Sequence, residues 1–102
     1  GGVGMEYIKG LLVPVRGEIR RVEVKNELKA LQETVGGHIQ TLKLAEGVVL
    51  ICNEEGKRLK LEPNTHFYIY TINGDFLLVG ENGEEFGDLT EKQMEQLEEL
   101  FA

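Results

Sequence analysis

Cysteine is the first side chain to consider for covalent chemistry, and the sequence contains one, Cys52. It closes the apolar run Val48–Cys52 and is followed by Asn53, Glu54 and Glu55. A reactive thiolate needs a nearby base and an electropositive surrounding, and these residues bring the opposite charge. We therefore interpret Cys52 as a buried, small hydrophobic residue of a protein in a reducing compartment. A single cysteine also excludes an intramolecular disulfide and a cysteine-rich zinc site.

Histidines, serines and carboxylate pairs give no catalytic pattern. His38 and His66 lack the close spacing of a helical metal pair, and no obvious third ligand accompanies them. The chain contains no serine, which excludes a Ser–His–acid site. The carboxylate pairs at 54–55 and 84–85 fall in polar turns, where solvated side chains are poorly suited to acid–base catalysis. The sequence therefore predicts that the protein is not an enzyme and uses no metal or cofactor.

Basic residues concentrate near the start of the chain. Arginine and lysine side chains beside an apolar wall can hold a phosphate-bearing ligand, and the same charges can also cover the exposed face of a strand. Asn53 and Asn64 also allow two interpretations. An asparagine in a turn can bond its own backbone, or it can present its amide to a ligand. The candidate ligand-binding residues are Arg16, Arg20, Arg21, Lys25, His38, Asn53 and Asn64. The ligand they suggest is a cyclic nucleotide or another small phosphate-bearing molecule.

Acidic residues dominate the other end of the chain. Eighteen acids stand against eleven bases, which gives a net charge of −7 and argues against direct binding of nucleic acid. Residues 81–102 alone hold eight acids and one base. The acids of the last predicted helix either form a solvated face or bind a protein partner by resembling nucleic acid. These candidate partner-binding residues are Glu91, Glu95, Glu98 and Glu99.

Alternating apolar and polar residues predict a sheet built from short hairpins. Pro14 marks the end or the edge of the first strand. The apolar run Val48–Cys52 predicts a strand that is buried on both faces. Residues 80–87 are interpreted as a loop with a turn at Asn82 and Gly83. The six predicted strands cover residues 8–15, 19–25, 38–44, 48–52, 66–72 and 76–79, and the alternation at 58–61 is compatible with a further short edge strand.

The first predicted helix is short. Asn26 is its expected N-cap, and the apolar residues Leu28, Leu31 and Val35 recur on one helical face. Gly36 and its glycine neighbour are expected to end the helix, because glycine adopts a left-handed conformation without a steric penalty.

The second predicted helix closes the chain. Thr90 and Gln93 have the spacing of a capping box, and Leu89 is placed to pack on Met94 as a hydrophobic staple. The apolar face is expected to contain Met94, Leu97, Leu100 and Phe101.

Together these elements predict an α+β domain in the order β-β-α-β-β-β-β-α, with one antiparallel or mixed sheet and two helices. We interpret residues 1–4 as an expression remnant before Met5, and residues 5–102 as a single domain. No apolar run reaches the roughly 18 residues of a membrane span, so we expect no membrane association.

Several segments resemble the domain of unknown function 3846 family. They are residues 28–39 with the Val-Gly-Gly sequence, 47–57 with Asn-Glu-Glu-Gly, 61–64, 76–80 and 89–93. The resemblance extends from Tyr7 to Ala102, with departures at Glu62 and at His38, where the family often has an aromatic residue. The family occurs in bacteriophages, plasmids and conjugative elements, so the resemblance implies a mobile-element protein in the bacterial cytoplasm. It implies no catalytic mechanism.

Three functions are compatible with these observations. The first is an anti-defence protein that sequesters a nucleotide-like immune signal, in a pocket that would lie between subunits of a homo-oligomer. The second is an inhibitor of a host defence protein, such as an antirestriction or anti-CRISPR factor, that acts through the acidic helix. The third is an accessory structural module of a mobile element.

Overall fold

The computed structural model describes residues 6–67, 69 and 71–102. The interpretation of residues 1–4 as an expression remnant, and of Met5 as the first native residue, lies outside these residues. The elements in chain order are β1 (Tyr7–Val13), β2 (Arg20–Lys25), α1 (Leu28–Val35), β3 (Ile39–Ala45), β4 (Val48–Asn53), β5 (Phe76–Asn82), β6 (Glu85–Gly87) and α2 (Glu91–Leu100). The order confirms the predicted α+β fold and its β-β-α-β-β-β-β-α arrangement.

All strand pairings in the six-stranded sheet are antiparallel. The order across the sheet is β2-β1-β5-β4-β3, and β6 pairs with the end of β5. The non-local pair is β1 with β5, which places Leu11 opposite Leu78. Strand β4 is internal and buried, as its continuous apolar run predicts. Pro14 follows the last residue of β1 and marks the end of that strand.

The sheet is covered by one helix on each face. Along β5 the side chains alternate: Phe76 and Leu78 pack with the buried residues of α2, whereas Leu77 and Val79 pack with those of α1. We call these two sides the α2 face and the α1 face. These four side chains are fully buried, because this part of β5 lies between two apolar layers.

Helix α1 begins one residue later than predicted. Its N-cap is Glu27, which makes no side-chain cap, so the assignment of Asn26 is wrong. The reason is that the Asn26 N–H still extends the edge ladder by bonding the Glu6 carbonyl at 2.9 Å. Because the helix start is held at the edge strand β2, Leu28 stays 59% exposed, and the predicted three-residue face is reduced to two buried residues. Gly36 ends the helix with φ of 85°, as predicted.

The segment between β4 and β5 differs most from the prediction. Residues 54–60 form turns, so the predicted edge strand around 58–61 is wrong. The described residues of the predicted strand 66–72 form no strand either; Tyr68 and Tyr70 lie outside the described residues. An isolated bridge joins Pro63 to Asn73. The apolar residues Phe67 and Ile72 pack into the α2-face core from a loop, which explains why they imitate a strand pattern.

Residues 80–87 are also more regular than predicted. Strand β5 continues to Asn82 and turns at Gly83 into the short strand β6, so the loop interpretation is wrong, although the turn is confirmed. The two strands pair through their backbones from Gly80 and Gly87 onward, and they do not alternate apolar and polar residues. Because that alternation is the usual sequence signal of a strand, the sequence did not predict this pair. Strand β6 thus takes the place of the predicted strand 66–72 in the element order.

Helix α2 has its predicted start. The Thr90 hydroxyl accepts the Gln93 N–H at 3.1 Å, and the Gln93 side-chain oxygen accepts the Thr90 N–H at 2.8 Å, which completes the capping box. The buried stripe has the i, i+3, i+7 spacing of residues 94, 97 and 101. Leu100 lies well to one side of this stripe and is 71% exposed, so its assignment to the apolar face is wrong.

Candidate functional site

The basic residues of β2 are divided between the two faces of the sheet. In the antiparallel ladder Arg20 lies opposite Leu12 and Arg21 lies opposite Leu11. Directly opposite residues share a face, so Arg20 belongs to the α1 face and Arg21 to the α2 face. The predicted basic cluster is therefore not one site.

Arg21 connects β2 to helix α2. Its guanidinium lies 2.7 Å from a carboxylate oxygen of Glu91 and 2.8 Å from one of Glu98. Hydrogen bonds from these two carboxylates raise the pKa of Arg21 above its ordinary value, and the Arg21 hydrogen bonds lower the pKa of Glu98. Two of the four candidate partner-binding acids are thus engaged within the chain. Glu95 and Glu99 are exposed and make no ion pair with the described residues.

The Arg21–Glu98 contact predicts a pH dependence of stability. Because the folded state lowers the pKa of Glu98 below its ordinary value of 4.5, this contact stabilises the fold fully above pH 4.5. Its contribution is lost as the pH falls through the lower folded value. Urea unfolding of the wild type and of Arg21→Gln, measured between pH 3 and 7, is expected to show a smaller acid-induced loss in the variant. Equal losses would contradict this expectation.

The other basic candidates differ in their partners. Arg16 lies 2.6 Å from Glu62, and Lys25 lies 3.3 Å from Glu27. Hydrogen bonding to Glu27 raises the pKa of Lys25. Arg20 makes no ion pair or side-chain hydrogen bond with any described residue. Among the four predicted basic residues, Arg20 is thus the guanidinium that remains available to a ligand.

Arg16 and Arg20 line the same depression at the end of β1. Its volume is about 440 Å³, and we call it the arginine groove. The lining residues are Leu12, Pro14, Val15, Arg16, Arg20, Glu62 and Asp75. Among the lining residues, Leu12 and Pro14 are buried and supply an apolar floor. A groove with this composition can hold an anionic group at one end and an apolar ring against the floor.

The groove continues toward the end of α1. A second depression of about 280 Å³ shares Val15, Glu62 and Asp75 with it and is lined further along by Thr34 and Gly36. The Asp75 carboxylate accepts the Val15 N–H at 2.8 Å and so holds the β1–β2 connection over the shared wall. Sequence reasoning missed Glu62 and Asp75 as site residues. The Pro63–Asn64 turn signal places a bend there, but it does not show that the bend returns to the end of β1.

The two candidate asparagines bond to the backbone. Asn53 donates to the Val35 carbonyl at 3.2 Å and accepts the Glu55 N–H at 2.8 Å. Asn64 donates to the carbonyls of Val13 and Gly74, at 2.9 and 3.1 Å. Both side chains are buried, and both therefore connect loop segments to the ends of regular elements.

His38 is exposed immediately before β3, and its ring makes no hydrogen bond with the described residues. His66 was not a site candidate, yet its ring has two defined neighbours. Nδ1 lies 2.8 Å from the Phe101 carbonyl and Nε2 lies 3.1 Å from the Gly17 carbonyl. His66 therefore connects the end of α2 to the β1–β2 turn beside the arginine groove.

Asn64 predicts a clear stability effect. Asn64→Ala removes three hydrogen bonds, including the one from the His66 N–H at 3.0 Å. Because these backbone groups are part-buried or buried, the expected loss of unfolding free energy is about 2 kcal/mol. The matched control is Asn26→Ala, which removes no side-chain cap and is expected to change stability by less than about 0.5 kcal/mol. Urea unfolding followed by circular dichroism measures both; similar losses would contradict the structural role of Asn64.

Cys52 is buried, and burial raises the pKa of its thiol. The described residues contain no group of three or more His, Cys, Asp or Glu side chains placed to hold a metal ion. None of the helices in the described part of the chain is both long enough and apolar enough to cross a membrane.

The fold and the groove define an α+β protein whose antiparallel sheet carries one helix on each face and an open, arginine-lined depression at its edge. The chain matches the model of the family named Domain of unknown function (DUF3846) over residues 8–102, nearly its whole length, and belongs to that family. This confirms the resemblance drawn from the sequence segments. Searches of the curated proteins and of the solved structures found no match.

Proposed function

We propose that this protein is an anti-defence protein of a phage or another mobile genetic element, and that it binds a nucleotide-like immune signal without converting it. It would act in the cytoplasm of a bacterial host. The observation that carries the proposal is the arginine groove, where the guanidinium of Arg20, which has no ion pair with any described residue, lies at an apolar floor. The mobile-element setting rests on the resemblance to the family.

The chemistry of the groove favours a ligand with an anionic end and a planar end. A guanidinium binds phosphate oxygens through paired N–H donors, and within the described part of the chain Arg20 has no carboxylate partner that a phosphate must first displace. Arg16 already pairs with Glu62, but its side chain is 83% exposed and can exchange this partner at small cost. The floor formed by Leu12 and Pro14 offers an apolar surface to a nucleobase.

Titration calorimetry with a panel of cyclic mononucleotides, cyclic dinucleotides and linear nucleoside monophosphates tests the proposal. We expect saturable, stoichiometric binding of at least one member, and chromatography should recover the ligand unchanged. Arg20→Gln is expected to weaken that binding at least about tenfold, the effect of losing one charge-assisted contact.

The matched control is Lys92→Gln, which removes the same charge from the exposed face of α2 and should leave the affinity unchanged. The proposal would be overturned by absence of heat across the panel, by conversion of the ligand, or by equal effects of the two substitutions.

A second candidate function uses the acidic end of the chain, where Glu95 and Glu99 are exposed on α2 and form no ion pair with residues that the structure describes. Such a surface could occupy the nucleic-acid channel of a host defence protein. Glu95→Lys with Glu99→Lys tests it without breaking the Arg21 contacts. If this function holds, the double variant loses inhibition of the host enzyme; unchanged inhibition excludes it. An accessory structural role would leave both the ligand panel and the inhibition assays negative.

A further inference from the structure

The two edges of the sheet differ in charge. Edge strand β2 carries four charged residues in six, a pattern that discourages pairing between sheet edges. Edge strand β3 has the sequence Ile-Gln-Thr-Leu-Lys-Leu-Ala and carries one charge in seven residues. Its apolar side chains Leu42 and Leu44 are only half-buried against the α2-face core. The β3 edge therefore carries fewer charges against pairing than β2 does, and its register irregularity lies at its end, between Lys43 and Ala45.

The N–H and carbonyl groups of successive β3 residues point alternately toward β4 and away from it. The Glu54 N–H bonds the His38 carbonyl at 2.8 Å, which makes these opposite residues a hydrogen-bonded pair. Such pairs alternate along an antiparallel ladder, so residues 40 and 42 also bond to β4. The N–H and carbonyl groups of Ile39, Thr41 and Lys43 consequently point away from β4, toward an edge on which no described strand pairs.

We propose that a second copy of this chain pairs with this edge, β3 against β3, antiparallel about a two-fold axis at Thr41. In this register Thr41 lies opposite Thr41 of the other copy, and Ile39 lies opposite Lys43. The outward groups then form about six inter-chain hydrogen bonds. The half-buried Leu42 of each copy lies opposite Gln40 of the other copy and is covered by that strand. No like charges face each other, and the threonine pair is favourable across strands.

This dimer closes the exposed edge by a symmetric contact and joins the two sheets into one continuous sheet. A single strand pair buries less area than a typical permanent interface, so the dimer should depend on concentration. The proposal goes beyond the ligand function, because the arginine groove lies at β1 and β2, near the opposite edge of the sheet from β3.

Sedimentation velocity from low micromolar to near-millimolar protein tests the proposal. The wild type is expected to move from 11.4 kDa toward twice that mass as concentration rises. Thr41→Pro removes an outward N–H without removing a bond to β4, and it should remain monomeric. Thr41→Ala keeps the N–H and should still dimerise. A wild type that stays monomeric throughout, or a folded Thr41→Pro that still dimerises, would overturn the proposal.

Amide hydrogen exchange of the wild type gives a second readout that does not depend on whether Thr41→Pro folds. The amides of residues 39, 41 and 43 should exchange more slowly at high protein concentration, while the amides of β2 should not change. Concentration-independent exchange at these three positions would refute β3 pairing.

Discussion

Phe76→Ala is expected to lower the free energy of unfolding by about 3–5 kcal/mol, the usual cost of deleting a large aromatic core side chain. Phe76 is fully buried. Its ring centroid lies 6.0 Å from that of Phe67 and 6.1 Å from that of Phe101, both in edge-on arrangements. The three rings come from β5, the loop before it and the end of α2. Removing the Phe76 ring therefore deletes one ring contact to each of two separate segments, while the Phe67–Phe101 contact at 5.6 Å remains.

Phe86→Ala is the matched control, because Phe86 is only half-buried on the α1 face and should cost clearly less. Urea unfolding followed by circular dichroism measures both variants. If Phe76→Ala does not fold, Phe76→Leu still reports the loss, and its coupling to Phe101→Leu should be about 0.5–1.5 kcal/mol. Equal losses for Phe76→Ala and Phe86→Ala, or no coupling between residues 76 and 101, would show that the aromatic contact does not hold the end of α2 to β5.

The aromatic cluster also shows which parts of the fold a sequence can predict. The capping box at Thr90 and the left-handed Gly36 depend on neighbouring residues, so local spacing identified them. Phe67 and Ile72 belong to a segment with the composition of a strand. Both residues lie in a loop, and these two side chains are apolar because the loop buries them in the core. Burial selects the same residue types in both cases, and only the partner surface distinguishes them. For the same reason the sequence missed β6, which pairs through its backbone near two glycines.

The candidate site was predictable only in part. The sequence identified the basic residues of β2, and alternation along a strand implies that Arg20 and Arg21 lie on opposite faces. Which of them stays available depends on α2, whose Glu91 and Glu98 lie 70 and 77 residues from Arg21 in the chain. The groove wall has the same origin, since Glu62 comes from a segment far from β1 in sequence. Local patterns contain no information on such pairings.

Gly80→Ala is expected to cause the second large loss of stability, because the backbone of residues 88 and 89 lies directly against Gly80. Gly80 is buried in β5, and an added Cβ would overlap the Asp88 carbonyl and lie 3.2 Å from the Leu89 nitrogen. Residues 88 and 89 cannot move away easily. The Asp88 carboxylate accepts the Lys9 N–H at 2.7 Å, and the Leu89 N–H bonds the Lys9 carbonyl at 2.9 Å. The steric conflict must therefore distort either β5 or the connection into α2.

We expect Gly80→Ala to lower the unfolding free energy by about 3 kcal/mol, at the upper end of the range for overpacking a buried site. The matched control is Gly83→Ala, where the new methyl group enters open space and the cost comes from a φ of 65° alone, about 1 kcal/mol. Urea unfolding compares the two, and exchange of the α2 amides locates the damage, because α2 follows directly after the blocked crossing. A Gly80→Ala variant no less stable than Gly83→Ala would mean that residues 88–89 yield to the methyl group, and that the contacts with Lys9 do not fix the path of the chain into α2.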